Sequence, residues 1–288
     1  MKNILFIIFY CLSFLSIPYA DAGNQQKNPE QKKKRYSSME AESLLTNPNI
    51  NWKMSKTKHF YYFYEKKAHW VTFYRKAEIS YEKIKKDLLI KKDPKGKCFV
   101  YLVPSFEHWS KFLGQVGIGT NATGFYRGKE IFMCSDDKLQ RKESEKTFCH
   151  EVCHLIFMKF WGKRICPLWI NEGMAEYESS FLHKFTPKYR LPQNIIQTDR
   201  WFSIKKLTNV RAYPSDNMTN YLFYRQSEWL VKYLIERHPR PMFRKFMSEL
   251  QKKPYDFETA FLKTYGKQYK SIEAFDKKYR VFAKRLIK

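Results

Sequence analysis

The chain has 288 residues, of which 43% are hydrophobic and 18% aromatic, with only 10 glycines; this excludes a disordered, collagen-like or low-complexity protein and supplies a sizeable core. The formal charge of +26 predicts either a plain cationic surface or attraction to an anionic partner such as an acidic envelope surface, a polyanionic glycan or nucleic acid. Because Lys and Arg are spread along the chain and no nucleic-acid motif is present, no specific nucleic-acid partner is expected.

Residues 1–22 read as a secretory signal peptide. Lys2 is followed by an apolar run of 14 residues, Ile4 to Ile17, and then by Ala20-Asp21-Ala22 as a cleavage site. The run is short for a membrane span, and no later stretch offers one. The expected mature chain is exported, periplasmic or extracellular, without a transmembrane segment. Removing the signal takes away one Lys and one Asp and leaves the net charge unchanged. Residues 23–52 form a polar, basic leader containing Lys32-Lys33-Lys34-Arg35, flexible apart from a short helix near 39–45.

Residues 59–64, rich in aromatic side chains, predict a first strand. Trp70, Phe73, Tyr74, Ala77, Tyr81, Ile84 and Leu88 recur at helical spacing and predict a long amphipathic helix that ends before Asp93-Pro94. Residues 98–103, a continuous apolar run closed by Pro104, predict a buried strand. A short helix over 106–113 follows. The Gly-rich segment 117–124 lacks phosphate-loop spacing and leads into a strand pair around Phe125-Tyr126 and Ile131–Cys134.

The segment that carries chemistry is Ser144–Tyr177. It contains His150-Glu151-Val152-Cys153-His154 and Asn171-Glu172-Gly173. Two His at i and i+4 lie on one face of a helix and can point at one metal ion. Glu151, beside the first His, can reach a water held there and take its proton. This helix should end near Gly162. A second helix after Pro167 carries Glu172, with 17 residues (155–171) between it and His154. Glu176 follows one helical turn later. The bland alternative is a helix whose two His bind no metal.

His-Glu-Val-Cys-His followed by Pro-Leu-Trp-Ile-Asn-Glu-Gly-Met-Ala-Glu-Tyr resembles the gluzincin zinc peptidases. Trp169–Tyr177 is similar to the corresponding segment of the aminopeptidase N family, although the spacer is one residue shorter than usual there. The flanking chain looks more like the small peptidase MA-like proteins. The resemblance implies Zn²⁺ held by His150, His154 and Glu172, with Glu151 as general base. It implies that Glu176 matches the carboxylate that, in thermolysin-like enzymes, orients a ligand His. In zincins the strand above the metal cleft lends its backbone to the substrate. By resemblance that job falls either to Gly124-Phe125-Tyr126 or to Ile131–Cys134, and a plain hairpin is the alternative. After a loop-rich stretch to about Asp216, residues 221–237 predict a helix. It resembles the one in peptidase MA-like proteins that brings a Tyr near the metal, making Tyr224, with Tyr221 second, the candidate donor to an oxyanion. Three more amphipathic helices follow, over 242–250, 257–265 and 272–286.

The order of elements predicts an α+β, zincin-like fold. A catalytic region spans 53–215 and a helical C-terminal part, 216–288, completes it. The implied activity is hydrolysis of peptide bonds in a peptide or protein substrate. The alternatives are an inactive protein of this fold that binds peptides, and a basic exported protein that binds an anionic surface. Five cysteines follow the signal. Cys98 could meet Cys134 on a neighbouring strand, and Cys149 or Cys153 could meet Cys166 across the turn between the metal helices. A Cys nucleophile paired with His150 is the weakest reading, because nothing else of a cysteine protease is present.

Overall fold

The computed structural model describes residues 38–93, 96–119, 122–139, 141–162, 164–182, 191–252 and 255–287. The expected signal peptide and the Lys-Arg run of the leader lie outside the described residues. The elements are α1 (Met39–Leu45), β1 (Lys53–Lys56), β2 (Phe60–Tyr64), α2 (Lys67–Asp87), β3 (Cys98–Val103), α3 (Phe106–Val116), β4 (Gly124–Arg127) and β5 (Glu130–Cys134). They continue with α4 (Arg141–Trp161), α5 (Leu168–Leu182), α6 (Ile204–Thr208), α7 (Asn217–Glu236), α8 (Arg240–Leu250), α9 (Phe257–Tyr265) and α10 (Ile272–Lys284). The fold is α+β, with one mixed sheet in the order β1-β2-β3-β5-β4.

Side chains alternate across this sheet, as the two-residue period of a strand requires. Cys98, Val100 and Leu102 of β3 join the core under α2, α4 and α5, whereas Phe99, Tyr101 and Val103 join a second core under α1 and α3. Both faces are therefore covered, which is why β3 reads as an unbroken apolar run. β2, β3 and β5 run parallel, and β1 and β4 pair antiparallel at the two edges. Arg127 faces Glu130 across a two-residue turn, and Gly128 supplies the positive φ of 61° that the turn needs.

Residues 38–52 belong to this packed body and not to a flexible leader. Ser38 caps α1, and its N–H donates to Glu130 at 3.1 Å. Ala41 and Leu44, three apart on one helix face, are buried. Trp52 Nε1 donates to the Leu44 carbonyl at 2.9 Å.

α4 is buried on every side over its central turns, so its apolar residues form no single stripe. Gly162, at φ 80°, ends it. α5 runs against α4 on one side and α7 on the other. The C-terminal helices share the core of the sheet and α4, with Phe275, Tyr279 and Phe282 of α10 in the same cluster as Phe60 of β2 and Val152 of α4.

The five described cysteines are free thiols. Cys98 and Cys134 lie on opposite faces of the sheet, and the register pairs Cys134 with Val103, at the far end of β3. That geometry excludes the expected strand-to-strand bridge. Cys149 and Cys153 are buried, and burial pushes the Cys149 thiol up to about 12 and Cys153 well above the ordinary thiol value. Protonated, buried thiols are poor nucleophiles, which counts against the cysteine-protease reading.

Gly173 marks where α5 approaches α7 most closely. A Cβ there would lie 2.5 Å from the Ser227 carbonyl oxygen and 2.9 Å from Val231 Cγ2. Gly173→Ala should therefore destabilise the fold by about 1–3 kcal/mol, as overpacking does. Gly114→Ala in α3, whose Cβ would meet nothing within 4 Å, should be neutral or stabilising by roughly 0.5–1 kcal/mol. Denaturation midpoints of the two variants check this, and equal stability would contradict the close approach.

Candidate metal centre

Helical spacing places His150 and His154 one turn apart on the face of α4 that meets α5. The two Nε2 atoms lie 2.9 Å apart. Glu172, in the first half of α5, brings Oε2 to 3.5 Å from each of them. Ligand atoms of these three residues all fall within 4.8 Å of one another, and all three side chains are buried. The structure thus brings together the three ligands that the sequence nominated.

The ring nitrogens facing away from the centre are also engaged. Asn171 Oδ1 lies 3.0 Å from His154 Nδ1 and can only accept there. Glu176 Oε1 lies 3.2 Å from His150 Nδ1. Both contacts favour the proton on Nδ1 and leave the Nε2 lone pair pointing inward. Two inward lone pairs and a carboxylate oxygen repel one another unless a cation sits between them. Glu172 Oε2 has no hydrogen-bond donor. A fully buried carboxylate oxygen with no donor is costly on its own. The residues therefore fit a divalent ion of borderline softness, which takes imidazole and carboxylate ligands.

The charge balance points the same way. Burial opposes the charge on His150, but Glu172 and Glu176 outweigh it and push the imidazole up to about 10. Burial opposes the charge on Glu172 as well, yet the two imidazoles hold its carboxyl far below the usual range. Glu176 is also held low against burial, by Lys146, His150 and Arg225.

Glu151 is buried beside the ligand set. Burial raises its carboxyl above the usual value, against the pull of His150 and His154, and the backbone N–H of Tyr126 hydrogen-bonds to it. Tyr126 belongs to β4, and its ring stacks on His154 with centroids 5.1 Å apart. β4 is the edge strand on this side of the sheet, whereas β5 is paired on both sides. Of the two strands considered for backbone pairing with a substrate, Ile131–Cys134 is paired on both sides, whereas Gly124-Phe125-Tyr126 has one strand partner among the described residues. Gly124 has little room: a Cβ there would run into the Met133 thioether of β5 and lie 3.2 Å from Thr147 Cγ2 of α4.

A family profile described as the Peptidase MA superfamily matches residues 134–284, just over half of the chain and every element from α4 through α10. The chain belongs to the Peptidase MA superfamily. Members of that superfamily usually bind zinc, and the His150, His154 and Glu172 group could hold a metal ion. No curated protein is similar enough to this chain to count as a relative.

Two residues at the Peptidase MA site were not singled out from sequence. Asn171 was legible as a motif letter, but its acceptor role needs the α4–α5 geometry. Tyr213, from the irregular segment before α7, donates its hydroxyl to Glu172 Oε1 at 2.6 Å. Its only local signal is an aromatic residue before Pro214, which is weak among 20 tyrosines. Tyr224, on α7, stacks on Tyr213 with centroids 5.9 Å apart and planes within 10°.

The purified chain should retain about one transition-metal ion after dialysis, measured by mass spectrometry. His154→Ala should lose it. Asn171→Ala and Glu176→Ala should keep the ligands but bind the ion roughly 10–100-fold more weakly. Equal affinity in all the variants would contradict the arrangement of ligands and orienting groups.

Proposed function

We propose that this protein is an exported, zinc-dependent peptidase. The observation that carries the reading is the convergence of His150, His154 and Glu172 on one point, with buried Glu151 between that point and the edge strand β4. Zn²⁺ is favoured over harder ions because two of the three donors are imidazole nitrogens. Bound there, it would polarise a scissile carbonyl and acidify the attacking water.

The chain's own residues do the rest. Glu151 takes a proton from the attacking water and passes it to the leaving amine. A raised carboxyl value suits a group that must both accept and return a proton. Tyr224 donates a hydrogen bond to the developing oxyanion, a task that suits a phenol because it stays protonated at neutral pH. Gly124, Phe125 and Tyr126, on the edge strand β4, lie beside an extended peptide backbone and help to align it. Glu176 and Asn171 hold the imidazoles in the metal-binding tautomer. Export rests on the N-terminal signal pattern and agrees with the lack, among the described residues, of any helix long and apolar enough to cross a membrane. The charge of +26 adds attraction to anionic surfaces, weakened by salt.

Glu151→Gln is the direct test. Hydrolysis of a casein or quenched-fluorescent peptide library should fall by roughly 10²–10⁴-fold or more, while zinc content stays near one per chain. Hydrolysis at the wild-type rate would remove Glu151 from the reaction. Tyr224→Phe should lower kcat by roughly 10²–10³-fold with little change in KM; a change confined to KM would assign Tyr224 to substrate binding instead.

A further inference from the structure

Glu172 has two carboxylate oxygens, and the structure gives them different surroundings. Oε2 faces both imidazole Nε2 atoms at 3.5 Å and has no hydrogen-bond donor. Oε1 accepts the Tyr213 hydroxyl at 2.6 Å. A carboxylate next to a metal ion can bind through one oxygen or through both, and the choice sets how many positions remain. We propose that Tyr213 is a positioning residue that holds Glu172 in one-oxygen binding and so keeps a coordination position free. This rests on the metal reading above and goes beyond it, because no feature of the ligand motif specifies how Glu172 binds.

The physical argument has three parts. A phenol at neutral pH is a donor, and its hydrogen bond draws charge onto Oε1 and away from the ion. To bind through both oxygens, Glu172 would have to break a short, charge-assisted bond and leave a partly buried hydroxyl to find another acceptor. Three protein ligands with one open position is the pattern of catalytic zinc sites, whereas structural sites are closed.

Tyr213 is also held where this task needs it. Pro214 restricts the backbone of the residue before it to extended conformations. The Tyr213 ring stacks on Tyr224 and meets Phe223 edge-on at 6.3 Å, both from α7. Tyr255 ties the surrounding pieces together. It accepts from Trp169 Nε1 on α5 at 3.0 Å and donates to the Thr208 carbonyl at 3.3 Å, and the Arg211 guanidinium lies 5.2 Å over its ring. Trp169 precedes Glu172 by one helical turn, and Arg211 precedes Tyr213 by two residues. Donor and acceptor are thus anchored through a shared residue as well as through their own bond.

Cobalt(II) substitution tests the proposal, because the visible bands of cobalt report its coordination number without requiring turnover. The wild-type chain loaded with cobalt should show the intense bands of a four-coordinate ion. Tyr213→Phe keeps the ring and its stacking but frees Oε1. It should show the weaker bands of a five-coordinate ion, and cobalt should bind at least roughly 10-fold more weakly. The metal-free melting temperature of the variant should match that of the wild type. Tyr224→Phe, in the same stack, should leave the spectrum unchanged. A wild-type spectrum in Tyr213→Phe overturns the proposal while the metal site stands. A variant that no longer folds assigns Tyr213 to the fold and overturns it too. A wild-type chain that takes up no cobalt fails at the earlier step and refutes the metal site itself.

Discussion

The constraint on which this structure depends is a buried carboxylate held against two buried imidazoles. Glu172 is fully buried, and so are His150 and His154. Removing a carboxylate from water costs several kcal/mol unless charge of the opposite sign is supplied nearby. Here α4 turns two imidazole nitrogens toward Glu172, and the three groups together fit a cation placed between them. Asn171 and Glu176 are therefore part of the same electrostatic arrangement as the ligands. Behind Glu176 lie Lys146 and Arg225, which lower its carboxyl. Arg225 in turn pairs with buried Glu228. Alternating charge thus extends from the centre into α7.

That arrangement explains why the C-terminal helices share one core with the sheet. α4 needs an environment that buries it on all sides, and the sheet covers only one. α5 covers a second side, but α5 must itself be covered, and α7 does this at near-contact distance over Gly173. A larger residue at 173 would push α7 away and carry Arg225 and Tyr224 with it. The glycine after Glu172 thus serves helix packing, and packing fixes the charges around the centre.

Features with a strong periodic or chemical signal were legible in the sequence. β3, α9 and the end of α4 at Gly162 follow directly from apolar runs, helical spacing and a helix-stopping glycine. The residues proposed as metal ligands follow from i, i+4 spacing and a downstream carboxylate, and the fold brings them together. What was not legible depends on contacts far apart in sequence. β1, Lys53-Met54-Ser55-Lys56, is an edge strand with three of its four residues exposed, so it lacks the apolar alternation that marks a strand. Its lysines guard that edge against pairing with another chain. α1 looked detached because its neighbours are polar, yet Ser38 reaches Glu130, 92 residues away. Tyr213 lies in a segment with no period at all, and only the folded chain brings it to Glu172. The suggested Cys98–Cys134 disulfide failed for a related reason. Adjacent strands make two cysteines look close, but strand register and face decide whether they meet.

The two edges of the sheet are treated differently, and the difference bears on chemistry. β1 carries its charge outward, as a protected edge does. β4 has only four residues, and its outer side lies against the metal helix, with Tyr126 in contact with both His154 and Glu151. The backbone groups of a strand edge have a fixed spacing, which on the proposed reading suits an extended peptide. A bond held along β4 would pass the carboxylate of Glu151 and the point on which the three ligands converge. Recognition and bond cleavage would then share one residue, Tyr126, whose backbone is part of the strand and whose N–H hydrogen-bonds to Glu151, the proposed base. On the proposed reading, peptide hydrolysis uses the three converging residues, Glu151 and β4 together, whereas peptide binding without cleavage gives the buried Glu151 no part.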